Sequence, residues 1–153
     1  MKNVKAVCLF VGLMIAFQGA WADGAKNISA KKVPTAVKDA FKAKFPDAKL
    51  HEWEMEEGNY VASFSSKDAR MEAAFTPDGK WKETELKSKM SEVPQAIKDA
   101  LAKSEYAKWK VGDVAKIATP ENPNMFEIEV HKGNECYGLH YDLSGKLVKK
   151  EKE

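Results

Sequence analysis

Two hydrophobic rhythms run along this chain, and they recur in the same order. Val33, Ala36, Val37, Ala40 and Phe41 follow the three-and-four spacing of one buried helical stripe, with Lys38 and Asp39 off it. Further on the period drops to two. Tyr60, Ala62 and Phe64 share one side, and so do Met71, Ala73 and Phe75. The sequence then repeats itself. Val93, Ala96, Ile97, Ala100 and Leu101 form a second helical stripe. Phe126, Ile128 and Val130 alternate with Glu127 and Glu129, and Tyr137, Leu139 and Tyr141 alternate with Cys136, Gly138 and His140. Period-two segments with one apolar side predict a half-buried antiparallel sheet.

Turn chemistry divides the same segments. Pro34 and Pro94 suit the first turn of each helix, where a missing N–H costs nothing. The first helix ends before Phe45-Pro46-Asp47, because proline disfavours helix in the residue before it; the second ends near Ser104. The first strand of each unit is expected at His51 to Glu56 and at roughly Trp109 to Thr119. Glu57-Gly58-Asn59, Ser65-Ser66-Lys67-Asp68 and Lys132-Gly133-Asn134 read as strand connections, and Pro77-Asp78-Gly79 and Leu143-Ser144-Gly145 as closing hairpins. The second unit also carries a proline-rich loop, Thr119 to Asn124.

The repeat can be read letter by letter. Val33-Pro34-Thr35-Ala36-Val37-Lys38-Asp39-Ala40 returns as Val93-Pro94-Gln95-Ala96-Ile97-Lys98-Asp99-Ala100, a spacing of sixty. Phe75 to Trp81 answers Tyr141 to Leu147 at sixty-six. The predicted class is α+β: a tandem repeat of a helix plus four antiparallel strands, residues 33–86 and 92–149, after an extension over 23–32. A core of roughly 60 residues is marginal alone. The units are therefore expected to form one compact domain, with a largely continuous sheet and both helices on one face. Glu85 to Glu92 reads as a charged connector, and Lys149 to Glu153 as a fraying tail.

Composition narrows the setting. Lys2 and Lys5, the apolar run Val7 to Phe17 and Ala20-Trp21-Ala22 make residues 1–22 a signal peptide, cut after Ala22. The chain is then exported, to the periplasm or the medium, with no stable membrane insertion. The full chain carries 25 basic and 23 acidic residues. Without Lys2 and Lys5 the balance is even, which excludes nucleic acid as a partner. With Cys8 removed, Cys136 is the one cysteine left, so no internal disulfide forms.

Candidate chemistry is sparse. No serine stands in a glycine-framed elbow, and there is no glycine-rich phosphate loop. Cys136 and His140, four residues apart on a strand, are about 13 Å apart and cannot act as a pair. His140, Cys136, Glu127 and Glu129 on one sheet face form the only arrangement with ligand character. A solvated sheet face with mixed polar residues is the simpler reading, so no metal, cofactor or enzymatic activity is expected. Trp53 and Trp81 fit core or rim positions.

The export signal, the tandem units, Val-Pro-x-Ala-(Val/Ile)-Lys-Asp-Ala opening each helix and the Gly-Lys turn closing each unit together resemble the PepSY-like, β-lactamase-inhibitor-like family of small exported bacterial proteins. The resemblance spans about Lys32 to Lys149. It implies a curved sheet with helices packed on it, and, by analogy with β-lactamase inhibitory proteins, a sheet face that grips an enzyme. The expected function is a non-enzymatic exported binding protein, with an inhibitor as one form of it, whose partner is another exported or envelope protein. Its surface would be the sheet side away from the helices: Glu52, Glu54, Val61, Ser63, Glu72, Ala74, Glu127, Glu129, Gly138 and His140. The alternative is a small-ligand carrier with a pocket between helix and sheet.

Overall fold

The computed structural model describes residues 26–67 and 69–152. The expected signal peptide, its cleavage point and Cys8 lie outside the described residues, as does Asp68. The elements run β1 (Lys26–Ile28), α1 (Thr35–Lys44), β2 (Lys49–Glu56), β3 (Asn59–Ser66), β4 (Ala69–Phe75), β5 (Trp81–Ser88), α2 (Gln95–Lys103), β6 (Lys110–Ala118), β7 (Met125–Lys132), β8 (Glu135–Asp142) and β9 (Leu147–Lys152). The strands lie in one nine-stranded sheet in sequence order. The fold is α+β, built from two similar helix-plus-strands units. One compact unit contains residues 26–87 with 117–123, and the other residues 88–116 with 124–152. Among the described residues no helix is long and apolar enough to cross a membrane.

Each helix forms where its apolar stripe meets its own strands. In the first unit, Val37 and Phe41 of α1 are buried against Trp53, Ala62, Phe64, Ala73 and Phe75. Phe41 sits edge-on to Trp53, Phe64 and Phe75 at centroid distances of 5.5, 5.1 and 6.3 Å. In the second unit, Ile97 and Leu101 of α2 pack on Val114, Phe126, Ile128, Val130, Leu139 and Tyr141. The prolines sit one residue earlier than expected, at the N-caps, where the Pro34 and Pro94 carbonyls accept from Lys38 and Lys98. Lys42 and Lys44 close the last turn of α1, where cations face the negative end of the helix dipole.

The two signature segments of each repeat meet in space. Gly79 (φ +84°) lies so close to the first turn of α1 that a Cβ there would stand 2.6 Å from the Ala36 carbonyl oxygen. Gly145 (φ +87°) repeats this against Ala96 at 2.5 Å. Each Val-Pro-x-Ala helix start is thus seated on the turn that closes its own unit. The hairpins share an irregularity as well: the register shifts between Ala74 and Phe75 and again between His140 and Tyr141.

Two local expectations are corrected. Glu85 to Glu92 is not a bare connector, because β5 continues to Ser88 and a single 3₁₀ turn follows over Met90–Glu92. The described part of the charged tail, Lys149 to Lys152, is not frayed. It is most of β9, paired to β8 from Tyr137↔Lys152 to Tyr141↔Leu147, with Glu151 buried. Alternating charge hides a strand when the polar partners stand on the neighbouring strand rather than in the sequence.

Candidate functional site

The polar side of the sheet has a different character in each unit. In the first, the register rows are Glu52↔Ser63↔Glu72↔Glu85 and Glu54↔Val61↔Ala74↔Glu83. Long carboxylate side chains flank small central ones. Val61, Ser63 and Ala74 are therefore buried, while Glu52 and Glu72 are exposed and Glu54 and Glu56 half-buried. The Ser63 hydroxyl donates to Glu72 Oε1 at 3.1 Å.

Two glutamates on this side, Glu54 and Glu56, have raised pKa values. Burial pushes the Glu54 carboxyl up, and the charges of Glu52 and Glu72 add to it. Glu56 is pushed up to about 7, by burial first and then by Glu54, Glu72 and Glu57.

In the second unit the same side is buried. Glu127, Glu129, Cys136, Gly138, His140 and Glu151 are all inaccessible, and His131 is half-buried. The register rows are Glu127↔His140↔Lys149 and Glu129↔Gly138↔Glu151, with His131↔Cys136 beyond them. His140 Nε2 stands 3.1 Å from Glu151 Oε2 and 3.9 Å from Glu127 Oε1. Lys149 Nζ is 2.5 Å from Glu151 Oε1. Burial opposes a charge on His140. The bond to Glu151 and the charges of Glu127 and Glu151 outweigh it, so its pKa rises. Burial likewise works against ionising Glu151, but the bonds from His140 and Lys149 prevail and its pKa falls. Burial raises the Glu127 carboxyl, with His140 pulling the other way. Glu127 Oε2 has no hydrogen-bond partner among the described residues.

A second group lies beside this one. His131 Nε2 is 2.8 Å from Glu129 Oε1, and the Cys136 thiol donates to the same oxygen at 3.4 Å. The structure thus separates residues that the sequence grouped: His140 pairs with Glu127 and Glu151, whereas Cys136 and Glu129 gather round His131. Extending the alternation of Glu127 and Glu129 by two residues leads to His131, and extending that of Glu52 and Glu54 leads to Glu56. Glu151 was hidden in the charged tail.

The space between α1 and its strands is filled by Phe41, Phe45 and Phe64 in mutual contact. Trp53 is buried there. Trp81 lies at the rim, its Nε1 donating to Thr84 Oγ1 at 2.9 Å and Lys44 Nζ standing 3.4 Å from the ring centroid.

The repeat geometry has counterparts among known proteins. The sequence model described as "Putative beta-lactamase-inhibitor-like, PepSY-like" matches twice, over residues 4–72 and 58–149. The chain belongs to the PepSY-like family. Solved structures agree. A BLIP-like protein of Bacteroides fragilis is similar at 28% identity with a TM-score of 0.66, covering 78% of this chain and 86% of that one. A putative periplasmic protein of Bacteroides eggerthii gives 27% identity and a TM-score of 0.66, covering 78% and 88%. A DUF2874 protein of Bacteroides uniformis gives 26% and 0.67 over the same shares. No curated protein matches the chain. The PepSY-like model matches the chain twice, in keeping with its two similar helix-plus-strands units.

Proposed function

We propose that this PepSY-like protein is an exported, non-catalytic binding protein of the inhibitor-like type. Its partner is another exported or envelope protein, met through the acidic strand face of the first unit. The observation that carries this reading is the set Glu52, Glu54, Glu56 and Glu72 on one strand side, where burial and then neighbouring carboxylates raise the pKa of Glu54 and Glu56. Such a face gains most from a partner surface rich in lysine and arginine, which would favour the ionised forms of Glu54 and Glu56. The filled space under α1 favours surface docking over a carried ligand. Of the ten face residues expected from sequence, Glu52, Glu54 and Glu72 are those whose carboxylates can reach a partner, and Glu56 joins them.

The test is recovery of partners from periplasmic extract with the purified protein and with a variant carrying Glu52→Lys, Glu54→Lys and Glu72→Lys. Charge reversal should abolish recovery of a specific partner, and high salt should weaken it. Equal recovery from both proteins discards this face.

A further inference from the structure

We propose that Glu129, His131 and Cys136 form a binding site for one divalent transition-metal ion of borderline softness, with zinc(II) as the reference ion. The proposal is independent of the docking face. Three different donor types converge: a carboxylate oxygen, an imidazole nitrogen and a thiol sulfur, all within 4.8 Å of one another. Donors bound to tetrahedral zinc at about 2.0–2.3 Å stand roughly 3–4 Å apart. The contact of 3.4 Å to Glu129 Oε1 lies within that range and the one of 2.8 Å just below it. Small side-chain movements suffice to admit an ion.

The backbone holds the donors in place. His131 and Cys136 are direct partners at the end of the β7–β8 hairpin, and Glu129 stands opposite Gly138. These pairings fix three ligands within eight residues of chain, so little ordering remains to be done on binding. Gly112 supplies the floor. A Cβ there would lie 2.2 Å from His131 Nε2 and 3.1 Å from Glu129 Oε1. Any side chain at this position would drive the donors from their common point.

Comparison of the two units shows that the fold does not require this cluster. At the sixty-six spacing, Glu129, His131 and Cys136 fall on Ser63, Ser65 and Arg70. The pairing Ser65↔Arg70 matches His131↔Cys136 in register. The same hairpin therefore forms with two hydroxyls and a guanidinium, which provide no comparable ligand set. The donors are a property of the second copy.

The chemistry selects the ion. Thiolate and imidazole favour zinc, cobalt, nickel or copper over calcium and magnesium, which prefer oxygen alone. A carboxylate and a thiolate cancel the two charges of the ion, so the loaded site is neutral in its buried setting. The Cys136 thiol releases its proton on binding, and the ion takes the place of the hydrogen bonds to Glu129 Oε1. Three protein ligands leave a fourth position for water or an incoming group. The half-exposed His131 edge is the path of entry.

Cobalt(II) titration of the purified, reduced protein tests this, followed by competition with zinc. One equivalent of cobalt should produce thiolate-to-metal charge-transfer absorption, which zinc then removes. Zinc should also raise the melting temperature. His131→Gln, at a half-exposed position, and Cys136→Ser should each weaken binding at least tenfold, with circular dichroism confirming their fold, and His51→Gln should leave it unchanged. Should Cys136→Ser fail to fold, the His131→Gln comparison decides alone. Absence of the charge-transfer band, or unchanged affinity in His131→Gln, overturns the site.

Discussion

His140 stands directly opposite Glu127 across β7 and β8, with Nε2 3.9 Å from Glu127 Oε1 and 3.1 Å from Glu151 Oε2 on the other side. An imidazole is thereby enclosed by two buried carboxylates, with Lys149 as the neighbouring cation. Its folded pKa is raised above the ordinary 6.5. The stability this contributes is fully present below about pH 6.5 and is lost as pH rises through the higher folded value. His140→Gln should therefore destabilise the protein more at pH 6 than at pH 9. At pH 6 the loss should be about 3 kcal/mol, because two buried carboxylates lose their cation. Urea unfolding of both proteins at the two pH values measures it, and an equal loss at both would contradict the charged assignment.

Glu56 gives the opposite dependence. Its carboxyl is pushed from 4.5 up to about 7, chiefly by burial and then by Glu54, Glu72 and Glu57. Between those values the folded chain holds a proton that the unfolded chain has released. Stability therefore falls as pH rises from about 4.5 to about 7 and stays lower above. The shift corresponds to roughly 3 kcal/mol before solvent screening reduces it at this part-exposed strand end. Glu56→Gln removes the penalty. Thermal melts should show the variant above the wild type at pH 8 and level with it near pH 4.

The sequence disclosed the helices and strands because their burial is one-sided. Val37 and Phe41, or Phe126, Ile128 and Val130, announce a face by periodicity alone. The site was less legible, because its partners come from different strands. Nothing in Glu151 itself signals burial; it is held by His140 on β8. Nor does the spacing of Cys136 and His140 reveal that they join different groups, since that depends on which residues β7 and β9 present beside them. The burial of Val61, Ser63 and Ala74 likewise follows from their neighbours' length rather than from their own polarity.

Gly79 and Gly145 should tolerate replacement poorly. Each combines a left-handed φ with a backbone approach to Ala36 or Ala96 that leaves no room for a Cβ. Alanine at either position should cost about 2–4 kcal/mol, from the strained φ and from lifting the helix start off its turn. Gly58 and Gly133 are the controls. They share positive φ but have nothing within 4 Å of an added Cβ. Alanine there should cost only about 1 kcal/mol. Denaturant titration of the four variants separates conformational strain from packing, and equal costs would deny the contact its role.

The last strand offers a decisive comparison between charge pattern and structure. Lys150 Nζ donates to the Tyr106 hydroxyl at 2.9 Å and lies 5.0 Å from the centre of the Tyr137 ring, so one face of β9 is tied to the aromatic end of the core. Its other face supplies Glu151 to His140. A chain ending at Lys146 would lose the β8–β9 ladder, leave Lys149 and Glu151 missing from the buried group, and turn β8 into an open edge. Its second unit should be destabilised by at least about 3 kcal/mol. Amide exchange along β8 should accelerate accordingly, while β3 and β4 keep their protection. If the truncated chain matched the full one in exchange and in unfolding, the tail would contribute nothing to the fold, as its sequence of charges alone suggests.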